Sequence, residues 1–153
     1  MNAVFDSALK TYARLDVETG VAGATPEMLI VMLYDGAIRA VSTAVVEMQR
    51  GEIAAKGAQI TKALRILEEG LSCALDTQAG GELAENLAAL YEYMGDRLML
   101  ANLRNDPALL EEVRLLLSEL REAWQALVKK QSEAGEITAS PRDRGNPMSY
   151  GKV

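Results

Sequence analysis

The sequence predicts an all-α protein: an antiparallel up-down four-helix bundle with a short N-terminal amphipathic helix and a disordered C-terminal tail. Three observations carry this. Apolar residues recur every three or four positions through four long segments, the spacing of one helix face. Ala, Leu, Glu and Met dominate the middle of the chain, while aromatics are 5% and prolines number 4; a β-sandwich would be richer in aromatic and β-branched residues. The segments are joined by short connections, which make long helices antiparallel neighbours. At 153 residues, 49% hydrophobic and 25% charged, the chain suits one domain with one core. The expected division is a cap segment and linker at 1–24, the bundle at 25–130 and the tail at 131–153.

In the leader, Val4, Ala8, Leu9, Tyr12 and Leu15 fall at helical spacing, and residues 20–24 read as a linker. The first bundle helix starts at Thr25-Pro26-Glu27: a capping oxygen, a proline at the first helical position and an acid at the positive end of the dipole. Its expected inner face is Leu29, Met32, Leu33, Gly36, Ala40, Ala44 and Met48, ending at Arg50-Gly51. The second helix is expected over 53–75, with Gly57, Ile60, Leu64, Leu67, Leu71 and Ala74 inward. After a turn closing on Gly80-Gly81, the third carries Leu83, Leu87, Leu90, Met94, Leu98 and Ala101. Asn105-Asp106-Pro107 repeats the cap-then-proline signal, and the fourth carries Leu110, Val113, Leu117, Leu120, Trp124 and Leu127. Beyond Glu133, glycines and prolines with mixed charges predict the tail.

Composition excludes several function classes. The chain has no histidine, which removes the commonest general base and metal ligand, and with them Ser-His-Asp triads and the Glu-x-x-His di-iron chemistry of many helical bundles. A net charge of -6 without a basic patch argues against a nucleic-acid partner. The longest apolar run, residues 28–34, is too short to insert in a membrane, and the N-terminus has no signal-peptide pattern. Cys73 is the sole cysteine, so no internal disulfide can form and a reducing cytoplasm is the default location. No enzyme, cofactor or metal site is expected.

Local constellations have ordinary readings. Gly80-Gly81 is followed by Glu82, where a phosphate loop needs a Lys and a Ser or Thr. Glu68-Glu69 and Glu111-Glu112 point about 100° apart on a helix and read as solvated charges. Asp35 and Arg39 stand at i and i+4 and are expected to pair. Cys73 reads as a small buried side chain. The run Met28-Leu29-Ile30-Val31-Met32-Leu33-Tyr34 differs: it is apolar around the whole helix, more than one core can use. Leu115-Leu116-Leu117, and Leu90-Tyr91 with Tyr93-Met94, repeat the excess. Either the leader or a partner helix must cover it.

Several stretches, in order, resemble the flagellar secretion chaperone family, FliS. They are Tyr12-Ala-Arg-Leu-Asp-Val-Glu-Thr, Ala24-Thr25-Pro26 and Leu29-Ile-Val-Met-Leu-Tyr-Asp-Gly-Ala-Ile38; Lys62-Ala63-Leu64-Arg65-Ile66-Leu67, Gly70-Leu71 and Leu75-Asp76; Gly80-Gly81-Glu82-Leu83-Ala84-Glu85-Asn86-Leu87 and Leu90-Tyr91-Glu92-Tyr93-Met94; then Leu98-Met-Leu-Ala-Asn-Leu-Arg-Asn-Asp106, and Glu111-Glu112-Val113 through Ala123-Trp124. Thr25 stands where the family often has serine, which keeps the capping oxygen; residues 134–153 have no counterpart. The resemblance implies a cytoplasmic, non-enzymatic export chaperone. It would bind the disordered C-terminal region of flagellin in apolar grooves, prevent premature polymerisation and aid delivery to the flagellar type III export apparatus. Export-gate and other flagellar proteins are further expected partners. The expected partner-binding residues are Leu9, Tyr12, Leu29, Met32, Leu33, Tyr34, Ile38, Leu90, Tyr91, Tyr93 and Met94. Leu9 and Tyr12 are expected to cover residues 28–34 when flagellin is absent. The alternative is a homodimeric helical regulatory or adaptor module using the same apolar surface.

Overall fold

The computed structural model describes the backbone of residues 23–75 and 80–144, and the side chains of these up to Glu133. The leader with its expected helix, including Leu9 and Tyr12, lies outside the described residues. Four long helical segments follow, and the protein is an all-α helical bundle: α1 is Pro26–Gln49, α2 Ile53–Arg65, α3 Gly81–Arg104 and α4 Pro107–Arg144. The chain forms two units, Met1–Arg121 and Glu122–Val153.

Local chemistry sets the boundaries. Thr25, in extended backbone, accepts the Met28 N–H on Oγ1 at 3.2 Å, and Pro26 occupies the first turn. This satisfies one of the amide donors that a helix start leaves without a partner. Past α1, Gly51 takes φ +74°, a conformation cheap only without a Cβ. α3 closes on Asn105 in the left-handed region, with φ 51° and ψ 50°, where asparagine is among the tolerated side chains. Asp106 then accepts the Ala108 N–H on Oδ1 at 3.0 Å, which starts α4.

The second helix departs from the expected continuous α-helix. After Arg65 it becomes a π-helical segment, Ile66–Ser72, with Leu67, Gly70 and Leu71 buried. The wider turn leaves Gly70 against α1: a Cβ there would lie 2.7 Å from Leu33 Cδ2. Cys73, expected to be buried, is half-buried and donates its Sγ–H to the Glu68 carbonyl at 3.1 Å.

Cross-helix contacts give the directions. Lys56 of α2 reaches Asn102 of α3, while Leu64, two turns on, meets Gly95; advancing along α2 therefore retreats along α3. Tyr93 and Arg97 of α3 meet Glu112 of α4 across the short Asn105–Asp106 connection. The core comprises Val31, Leu33, Tyr34, Ala37, Val41 and Ala44 of α1, Ile60, Ala63, Leu67 and Leu71, Tyr91, Met94, Leu98 and Ala101, and Leu110, Val113 and Leu117. Only α1 among the described helices is long and apolar enough to cross a bilayer, yet eight of its residues are buried within the protein.

The expectations for Asp35 and for Glu111-Glu112 are corrected as well. Asp35 pairs with Arg121 of α4, Nε to Oδ1 at 2.8 Å, because a fixed neighbouring helix offers it a closer cation than Arg39. Glu112 is bound by Tyr93 and Arg97, and Glu111 by Arg114, so neither is merely solvated. The backbone of α4 runs on through residues 131–144: Gln131, Glu133, Ala134 and Glu136 are compatible with helix, and propagation adds one hydrogen bond per residue.

Candidate partner-binding surface

The two excess-apolar segments each divide into an inner and an outer set. In α1, Leu33 is 5% exposed and Tyr34 is buried, whereas Leu29, Met32 and Ile38 are half-buried. In α3, Tyr91 and Met94 are buried, Leu90 is half-buried and Tyr93 is 42% exposed. Of the nine expected partner-binding residues within the described chain, Leu33, Tyr34, Tyr91 and Met94 therefore help build the core. Leu29, Met32, Ile38, Leu90 and Tyr93 keep apolar surface at the outside.

The inner set has its own polar feature. The Tyr34 and Tyr91 hydroxyls are hydrogen-bonded to each other at 2.5 Å, with ring centroids 6.5 Å apart and tilted by 58°. Burial pushes both phenols above their ordinary titration range, since a phenolate there would be poorly solvated. The pair ties α1 to α3.

The outer set has a polar clasp. The Tyr93 hydroxyl donates to Glu112 Oε2, and Arg97 Nε donates to Glu112 Oε1 at 2.9 Å. The Arg97 guanidinium also lies over the Tyr93 ring, 5.5 Å from its centroid, a cation–π distance. The Tyr93 and Arg97 hydrogen bonds hold the Glu112 carboxyl below the usual carboxylate range. The clasp fixes the Tyr93 ring while leaving part of it open.

Sequence reasoning missed Lys56, which is 3% exposed. Its ammonium donates to the Asn102 carbonyl at 3.0 Å and to Asn105 Oδ1 at 2.5 Å, placing a cation at the negative end of the α3 dipole. No local motif marks a lysine whose partners lie 46 and 49 positions away. The exposure of Met99 and Leu103 was also missed, although both lie off the Met94-Leu98-Ala101 row and that offset was readable. Among the described residues, no group of three or more Cys, Asp or Glu side chains could hold a metal ion.

The site is thus an apolar surface on an all-α helical bundle, with no cluster of metal-ligating side chains among the described residues. The family model described as Flagellar protein FliS matches residues 8–131. The flagellar secretion chaperone FliS of Salmonella typhimurium is 46% identical over 126 residues, covering 82% of this chain and 93% of its own length. That of Escherichia coli is 41% identical, covering 76% and 85%, and the chaperone FliSB of Pseudomonas aeruginosa is 43% identical, covering 78% and 94%. The chain belongs to the FliS family of flagellar secretion chaperones, which is a chaperone and not an enzyme family.

Proposed function

We propose that this chain is a cytoplasmic chaperone of flagellin. It binds the disordered C-terminal region of flagellin in apolar grooves, prevents premature polymerisation and aids delivery to the flagellar type III export apparatus. The observation that supports this reading is the outer set on α1 and α3: Leu29, Met32, Ile38, Leu90 and Tyr93 keep apolar surface at the outside while their neighbours Leu33, Tyr34, Tyr91 and Met94 are buried. A helix of the partner laid along that surface would remove this apolar area from water, the helix-in-groove mode of recognition. Ordering the partner on binding offsets part of the contact energy, which keeps a wide interface reversible.

In this reading, the leader covers residues 28–34 when flagellin is absent, with Leu9 and Tyr12 as its apolar contacts. Removing residues 1–18 then exposes apolar surface and changes flagellin affinity; unchanged dye binding together with unchanged affinity contradicts the cap. The principal experiment is calorimetric titration of the full chain with a flagellin C-terminal fragment. Saturable binding with a negative heat-capacity change is expected, and absence of binding overturns the reading.

A further inference from the structure

The outer face of α3 carries a row that the flagellin reading does not use. Glu85, Ala89, Glu92, Asp96, Met99 and Leu103 are separated alternately by four and three residues and are all exposed. That spacing places them along one side of the helix, as in the seam of a coiled coil, over about 27 Å. The opposite side bears the core residues Tyr91, Met94, Leu98 and Ala101. One flank of α3 meets α2 through Gly95 and Asn102, and the other meets α4 through Tyr93 and Arg97. The row lies between the flanks and faces water.

At its C-terminal end, Met99 is 60% and Leu103 80% exposed. These two large apolar side chains, one turn apart, form a ready anchor point for another helix. What surrounds them selects the occupant. Glu85, Glu92 and Asp96 continue the row, and among the described residues no lysine or arginine is paired with any of them. A second copy of α3 is a poor match. Laid antiparallel, it sets Glu92 against Asp96 and Leu103 against Glu85; laid parallel, it sets every acid against itself. Like charges directly opposed across a seam are unfavourable.

We infer that the outer row of α3 is a second docking surface, and that its occupant is a basic amphipathic helix of a partner protein. That helix places two apolar side chains on Met99 and Leu103, and lysines or arginines opposite Asp96, Glu92 and Glu85. The surface is separate from the outer set proposed for flagellin, so both partners can be held together. The apolar pair supplies the anchor, and the acids supply sign selectivity and a faster, salt-sensitive encounter.

The test titrates the full chain with a synthetic helical peptide of about 21 residues. Its seam reads Leu, Leu, Lys, Lys, Ala, Lys, the antiparallel complement of the row, and a twin carries Glu for each Lys. The basic peptide is expected to bind saturably and the twin not to bind. Raising the salt weakens the basic peptide several-fold, and M99A/L103A weakens it by about tenfold. E92K/D96K turns preference toward the twin. All four positions are exposed, and circular dichroism checks that each variant keeps its helix content. Three results overturn the inference: binding of both peptides alike in the unmodified chain, displacement of the basic peptide by a flagellin C-terminal fragment, or a concentration-dependent dimer in light scattering that L103A abolishes.

Discussion

Leu33 and Met32 are neighbours in one apolar run, yet they have opposite positions in the molecule. Leu33 is buried against Gly70 of the π-helical segment, while Met32 stands half-buried about 100° further round α1. The same division separates Met94, at 0% exposure, from Tyr93. The inner residues are packed in the core, and the outer ones keep part of their apolar surface at the outside. Apolarity in the sequence therefore does not by itself assign a residue to binding; its angle around the helix does.

That comparison can be broken most forcefully from the inside. Leu33→Asp places an unpaired carboxylate in the core beside Gly70 and should unfold the chain, read as loss of the cooperative thermal transition. A native-like transition for this variant would contradict the placement of Leu33.

Lys56→Met comes next. It leaves the Asn102 carbonyl and Asn105 Oδ1 without their buried donor, and a destabilisation of about 1–3 kcal/mol is expected in urea unfolding. If stability is unchanged, the lysine does not hold the α3 terminus.

Tyr34→Phe leaves the Tyr91 hydroxyl buried without its partner, at a cost of about 1–3 kcal/mol. The double variant Tyr34→Phe with Tyr91→Phe removes both polar groups and should recover part of that loss. The pair also sets an alkaline limit. Because both phenols titrate above their ordinary value in the folded chain, their contribution is fully present below pH about 10 and is lost as the pH rises further. The double Phe variant should show a flatter alkaline limb in denaturant titrations.

The smallest effect concerns the clasp. Glu112 titrates below its ordinary value when folded, so its contribution is present above the ordinary carboxylate range and is lost as the pH falls through the lowered value. Glu112→Gln should leave neutral-pH stability nearly unchanged and slightly flatten the acid limb, since the pair is partly exposed and solvent screens it. A steep loss of stability at neutral pH would show that the clasp carries more of the fold than its exposure implies.

The parts of the fold legible in the sequence are those fixed by near neighbours. Thr25 with Pro26, Gly51, and Asp106 with Pro107 act within one turn of chain, and each ends or starts a helix where the residue types predict. Leu110, Val113 and Leu117 are interleaved with polar residues, so their period chose the inner face correctly. Residues 28–34 are apolar all round, so no period distinguishes inside from outside: helical spacing points Leu29 and Met32 inward, whereas both are half-buried and Val31 is buried. Tyr34 with Tyr91, Asp35 with Arg121 and Lys56 with Asn105 depend on which helices become neighbours. The π-helical turn at Gly70 was equally unreadable, because its close approach to Leu33 is a tertiary contact.

The central claim is that flagellin is held by the outer set while the inner set only builds the bundle. Its most direct test is the affinity of a flagellin C-terminal fragment for the triple variant Leu29→Ser, Met32→Ser and Ile38→Ser, measured by calorimetry alongside the thermal transition. The account predicts a cooperative transition close to that of the unmodified chain and an affinity at least about tenfold weaker. A native-like transition with unchanged affinity would contradict it.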